Sequence, residues 1–92
     1  MCYTYIIQSI TSGQWYYGST GDLEERLRYH NAGWNRSTKG RGPWKYIFIR
    51  PFPNAEQARE FEFYLKRLRR KEYIRKKYEE YFIDSSIIKK YC

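Results

Sequence analysis

Arg26 and His30 stand four residues apart, just after the stretch Tyr16-Tyr17-Gly18-Ser19-Thr20-Gly21-Asp22-Leu23. On a helix that spacing stacks a guanidinium and an imidazole on one face. A guanidinium presents a planar fork of donors suited to phosphate or carboxylate, and an imidazole can accept or give a proton near neutral pH. These groups fall where an aromatic strand pattern hands over to a helix, a junction at which sites often form. A third group is conspicuous by its place. Ala58, Phe61, Leu65 and Leu68 trace an apolar stripe at helical spacing, and Glu62 falls within it. A carboxylate facing a core must be paired, protonated or bound to a cation; otherwise it lies at the stripe's edge and reaches solvent or an arginine.

The elements that must position these groups can be read from pattern. Residues 2–9 alternate and are rich in β-branched and aromatic types, with Tyr3, Tyr5 and Ile7 on one side, which predicts a strand. Thr11-Ser12-Gly13 supplies a turn, and residues 14–17 return as a second strand, making Tyr5 and Tyr16 near neighbours across an antiparallel hairpin. Gly18 to Gly21 is expected to break that strand. Asp22 with Glu25 reads as an N-cap and capping box, Leu23 and Leu27 as the buried stripe of a first helix, and Gly33 as its stop. Residues 35–43 form a polar, basic loop carrying Lys39 and Arg41. A third strand is expected over 44–50, with Trp44, Tyr46 and Phe48 alternating against Lys45, Ile47 and Ile49, then a turn bracketed by Pro51 and Pro53. Asn54 caps a second helix, with Gln57 as its partner. Lys66, Arg67, Arg69, Arg70 and Lys71 open a basic helical run to Lys77 that should be interrupted or bent near Arg70. These elements give an α+β fold: a three-stranded antiparallel sheet flanked by helices, in the order β-β-α-β-α-α. Residues 1–83 make one domain and 84–92 a tail whose structure the pattern leaves open.

Ninety-two residues exclude a large, many-layered enzyme, since so short a chain buries only about 60–65% of its unfolded surface. Its 21% aromatic content supplies core area economically. A net charge of +8 with tyrosines interleaved points to a polyanion, and nucleic acid is the leading choice. The two cysteines, Cys2 and Cys92, form no CxxC pair, and with a single histidine they exclude the usual structural zinc site and a disulfide framework. No signal peptide, spanning segment or lipid-facing amphipathic helix is visible, so the chain reads as cytoplasmic with no membrane partner.

The motifs resemble those of the GIY-YIG nucleases. Tyr3-Thr4-Tyr5 followed by Tyr16-Tyr17-Gly18 resembles the paired motifs that name the family. Tyr16, Gly18, Thr20, Asp22, Leu23, Arg26, Leu27, His30, Asn31 and Gly33 are similar to the string of small stand-alone members related to the nuclease domain of bacterial nucleotide excision repair. The region of Thr38, Pro43 and Trp44 fits as well, as do Glu62, Leu65 and Lys66, so the likeness spans about residues 3 to 70. Tyr3, Tyr17 and Phe61 depart from the commonest residues of the family at their positions.

The resemblance implies the same β-β-α-β-α-α fold and a metal-dependent endonuclease that hydrolyses phosphodiester bonds in DNA, duplex or branched, in repair or recombination. It makes Tyr5 and Tyr16 the motif tyrosines, Arg26 the catalytic arginine, His30 a further catalytic residue, and Glu62 the ligand of Mg²⁺ or Mn²⁺. A hard cation that keeps most of its waters suits a single carboxylate. Lys39, Arg41, Lys66, Arg67, Arg69, Arg70 and Lys71 would carry the backbone of the nucleic acid. With no second DNA-binding domain evident, a partner protein could supply targeting; the sequence does not define oligomeric state. The alternative is a basic nucleic-acid-binding module without catalysis, with a protein-interaction adaptor a more distant third.

Overall fold

A computed structural model describes residues 1–36 and 38–83; the expected tail at 84–92, with Cys92, lies outside the described residues. Three strands, β1 (Cys2–Ser9), β2 (Trp15–Thr20) and β3 (Trp44–Phe52), form one antiparallel sheet in the order β2-β1-β3. Helices α1 (Leu23–Asn31), α2 (Ala55–Leu68) and α3 (Lys71–Lys77) flank it, and a short 3-10 turn follows at Glu79–Tyr81. The order and class are those expected. Among the described residues no helix is long and apolar enough to cross a membrane.

Both faces of the sheet are covered. Tyr5, Ile7, Trp44, Tyr46 and Ile49 form one core, against which Leu23 and Leu27 of α1 and Tyr16 of β2 pack. Ile6, Ile47, Phe48, Leu65 and Ile74 form the other, joined by Tyr17 and Phe61. Thr4, on the second face, donates its hydroxyl to the Ala58 carbonyl at 2.6 Å and so ties α2 to the central strand. The helix starts follow the sequence signals: Asp22 accepts from the Glu25 amide at 3.1 Å and Asn54 from the Gln57 amide at 2.9 Å. Arg69 in the left-handed region (φ 52°) ends α2, and α3 begins two residues on, which is the expected break near Arg70.

Three expectations are corrected. Gly18 does not break β2; the strand continues to Thr20, with Gly18 opposite Tyr5 and Thr20 opposite Tyr3. The glycine is there because a Cβ would overlap the Tyr5 hydroxyl and ring. In β3 the pairing skips a residue, Ile6 opposite Phe48 and Ile7 opposite Tyr46, so a bulge at Ile47 reverses the alternation. Phe48 therefore joins the second face with Ile47, while Ile49 joins Trp44 and Tyr46 on the first. Pro51 lies inside β3, not in the turn after it. An edge strand tolerates a residue without N–H, and among the described strands β3 is paired with β1 alone, with one isolated bridge from Phe48 to Phe82.

The Gly18 approach has a measurable cost. Gly18→Ala should lose about 1–3 kcal/mol, the usual penalty for forcing a methyl into a packed core. Gly21→Ala, with nothing within 4 Å of its Cβ, should stay within about 0.5 kcal/mol of wild type in the same denaturant titration.

Candidate active site

Tyr5 and His30, both 2% exposed, are the buried heart of the first face. The Thr38 hydroxyl lies 3.4 Å from the Asn35 carbonyl and donates to it, leaving its oxygen to accept from His30 Nδ1–H at 2.9 Å. His30 Nε2 is then unprotonated and accepts the Tyr5 O–H at 2.8 Å. This chain selects the neutral imidazole. Burial, reinforced by the Arg26 charge, lowers the His30 pKa from 6.5 to about 4. Burial also pushes the Tyr5 hydroxyl well above the ordinary tyrosine range; Tyr46, Tyr16 and Glu62 raise it further and Arg26 opposes them. At Tyr5 desolvation outweighs the opposing Arg26 charge, so the hydroxyl stays protonated.

Tyr16 sits on the same face, pairs with Ile7, and packs its ring 5.1 Å from that of His30. It is only half-buried, and its hydroxyl accepts from Asn35 Nδ2 at 3.5 Å. Arg26, on α1, is half-buried and has no carboxylate within ion-pair distance among the described residues; its guanidinium lies 5.3 Å from the Tyr29 ring centroid. A half-buried guanidinium without a protein anion among the described residues is suited to an external one.

Glu62 approaches from the other side of the sheet. One oxygen accepts from Ser19 Oγ at 2.8 Å and the other pairs with Lys66 Nζ at 2.7 Å, leaving the side chain 13% exposed. The Lys66 ammonium is 6.0 Å from the Tyr16 ring centroid, so the lysine reaches around β2 and joins the two halves. A depression of about 210 Å³ runs over the end of β2 from Arg26, past Ser19 and Thr20, to Ala58 and Arg59 of α2. The five residues singled out in the sequence thus gather around β2, with Tyr5 and His30 beneath the surface and Tyr16, Arg26 and Glu62 nearer to solvent.

The basic residues divide. Lys66 belongs to this site. Arg69, Arg70 and Lys71 line a groove of about 1040 Å³ with Arg75 and Lys76, and the Lys71 and Arg75 charges lie 5.2 and 5.5 Å from the Trp15 ring centroid. Arg67, exposed on α2, lines neither depression. Lys39 and Arg41 are exposed in the separate loop before β3, where the Arg41 carbonyl accepts from Ser9 Oγ at 2.7 Å. Sequence reasoning missed Ser19, whose signal was strand parity: once β2 runs past Gly18, Ser19 must face α2. Lys66, expected among the residues that carry the nucleic-acid backbone, is instead paired with Glu62 at i+4.

A family model described as the GIY-YIG catalytic domain matches residues 1–79. The chain belongs to the GIY-YIG family. Among curated relatives, a UPF0213 protein of Halalkalibacterium halodurans is 36% identical over 70 residues, covering 75% of this chain and 73% of the relative. One of Clostridium perfringens is 38% identical over 71 residues, covering 76% and 75%. A structure-specific endonuclease subunit of Schizosaccharomyces japonicus is 38% identical over 65 residues, 66% of this chain but 24% of that protein. The solution NMR structure of a UPF0213 protein from Bacillus halodurans, 35% identical, superposes with a TM-score of 0.48 over 78% of each chain. The family model and the endonuclease-subunit relative support nuclease chemistry on the GIY-YIG domain in general terms.

The buried imidazole has a pH signature. The folded His30 value of about 4 lies below its unfolded 6.5, so the unfolded chain binds the extra proton between them. Stability attributable to His30 is therefore full above pH 6.5 and falls as pH drops towards 4, by up to roughly 3 kcal/mol. Denaturant titrations at neutral pH and at the low end of that window should show this loss in wild type and a smaller one in His30→Gln.

Proposed function

We propose that the protein is a metal-dependent endonuclease that hydrolyses phosphodiester bonds in DNA, duplex or branched, serving repair or recombination. The observation that carries the reading is that Arg26, without a protein carboxylate among the described residues, lines a depression over β2 whose Ser19 hydroxyl holds the half-buried Glu62 carboxylate.

Arg26 binds the nonbridging phosphate oxygens, where negative charge grows during attack. Tyr16, the motif tyrosine that reaches solvent, orients the attacking water. Tyr5 and His30 are positioning residues: their hydrogen bond holds the surface against which Tyr16 and Arg26 are set. Glu62 offers hard oxygen donors at a partly hydrated position, which fits Mg²⁺ or Mn²⁺ with most of the shell left to water. Among the described residues no cluster of three or more acidic, histidine or cysteine ligands exists, so Glu62 would be the direct protein ligand, with Ser19 fixing its carboxylate. A cation held there would supply positive charge to offset the negative charge that grows on the departing oxygen. Lys66, already on Glu62, is placed to hold the phosphate in its absence.

The α2–α3 groove carries the flanking backbone by charge. The likeness to a structure-specific endonuclease subunit favours a substrate chosen by shape, and a protein partner could direct the domain to it. The second reading, a binding module without catalysis, is favoured by that same groove.

Wild type is expected to nick plasmid or branched oligonucleotides in Mg²⁺ or Mn²⁺. Arg26→Ala should slow cleavage about 10²–10³-fold, the typical effect of removing a charge-stabilising donor, and Glu62→Gln should abolish it while binding persists. Cleavage surviving in both variants overturns the assignment; binding without cleavage in wild type, across metals and substrate shapes, establishes the second reading. For the groove, the combined Arg69→Asn, Arg70→Gln, Lys71→Gln variant should flatten the slope of log affinity against log salt by roughly 2–3. Asparagine at 69 tolerates the left-handed backbone there.

A further inference from the structure

A second depression, of about 580 Å³, opens on the far side of Arg26 and is lined by Thr20, Asp22, Glu25, Arg26, Tyr29 and Trp34. Trp34 is 75% exposed, a costly place for the largest aromatic side chain. Its position is nevertheless defined. Gly33 turns the chain with φ 78°, the Trp34 N–H donates to the Tyr29 carbonyl at 3.3 Å, and the indole meets the Tyr29 ring edge-on at 6.0 Å. The Arg26 guanidinium lies 5.3 Å from that same Tyr29 ring. One rigid wall is thus aromatic and faces water. One end is the guanidinium assigned to the phosphate, and the rim carries the Glu25 carboxylate as a partner for a base edge, while the Thr20 hydroxyl is bonded to Asp22 within its own turn.

We propose that this depression receives a single unpaired nucleobase next to the scissile phosphate, stacked on Trp34. The inference rests on the nuclease reading and names the substrate feature it selects. A base within a duplex has both faces covered and cannot lie on the indole; an unpaired or extruded one can. Arg26 makes the two sites continuous: holding a phosphate from one side, it leaves the attached nucleotide's base to enter the other. Selection by shape without sequence follows, since every base has a face to stack.

The test uses the whole chain in EDTA, so that no cleavage intervenes, with a short duplex carrying one unpaired fluorescent aminopurine and the fully paired duplex as control. Wild type should quench the aminopurine and bind the unpaired duplex about tenfold more tightly than the paired one. Trp34→Ala should lose both the quenching and the preference while binding the paired duplex as before, and Trp34→Phe should restore most of each. Equal wild-type affinity for the two duplexes overturns the proposal whatever the variants do. So does unchanged quenching by Trp34→Ala, or an equal loss of affinity for both duplexes, the pattern of a backbone contact. Quenching and preference in a wild type that cleaves nothing with any metal would refute the nuclease reading and leave the stacking site standing.

Discussion

The close approach of Tyr5 to Gly18 is the constraint from which the site is built. The Tyr5 ring occupies the space a side chain would take on the neighbouring strand, and only there does its hydroxyl reach His30. His30 in turn holds Thr38, so strand, helix and the loop before β3 are joined by one chain of buried hydrogen bonds. Among the described residues no buried side-chain polar atom lacks a partner. In low dielectric such a chain is strong when complete and costly when broken. The neutral state of the imidazole is a consequence of this arrangement, and it leaves Arg26 as a formal charge close to an uncharged tyrosine–histidine pair.

Opposite charges in the site are kept apart by the sheet. Arg26 lies with the first face and Glu62 with the second, and their contact is by way of β2 and Lys66. A direct arginine–glutamate pair would satisfy both and leave little for a ligand. Separation leaves the guanidinium open to an anion and the carboxylate, held by Ser19 and by the partly exposed Lys66, within reach of a cation.

Much of this was legible in the chain. The strand bounds Cys2–Ser9, the caps Asp22 and Asn54, the stop at Gly33 and the break at Arg69–Arg70 are set by local chemistry, and local chemistry is what sequence displays. What escaped was relational. Gly18 reads as a breaker until the ring opposite is known, and the bulge at Ile47 exists only as a mismatch between two strands. For the site, Arg26, His30 and Glu62 were visible as residue types at telling positions. That Tyr5 and His30 are sealed while Tyr16 is wetted depends on which rings cover which, a property of packing that spacing along the chain does not carry.

The two outer strands also bear on self-association. A three-stranded sheet exposes two ladders of unpaired backbone groups, each a template for another copy. β3 carries Pro51, and the Ile83 N–H closes on the Ile47 carbonyl at 2.8 Å along its outer side. Among the described residues β2 has no strand beyond it, but Lys66 lies over Tyr16, and Lys71 and Arg75 over Trp15. An incoming strand would have to strip water from those cations against a like-charged neighbour. The cations that make β2 attractive to a polyanion therefore also make it repellent to its own kind, and neutralising them would trade colloidal solubility as well as binding.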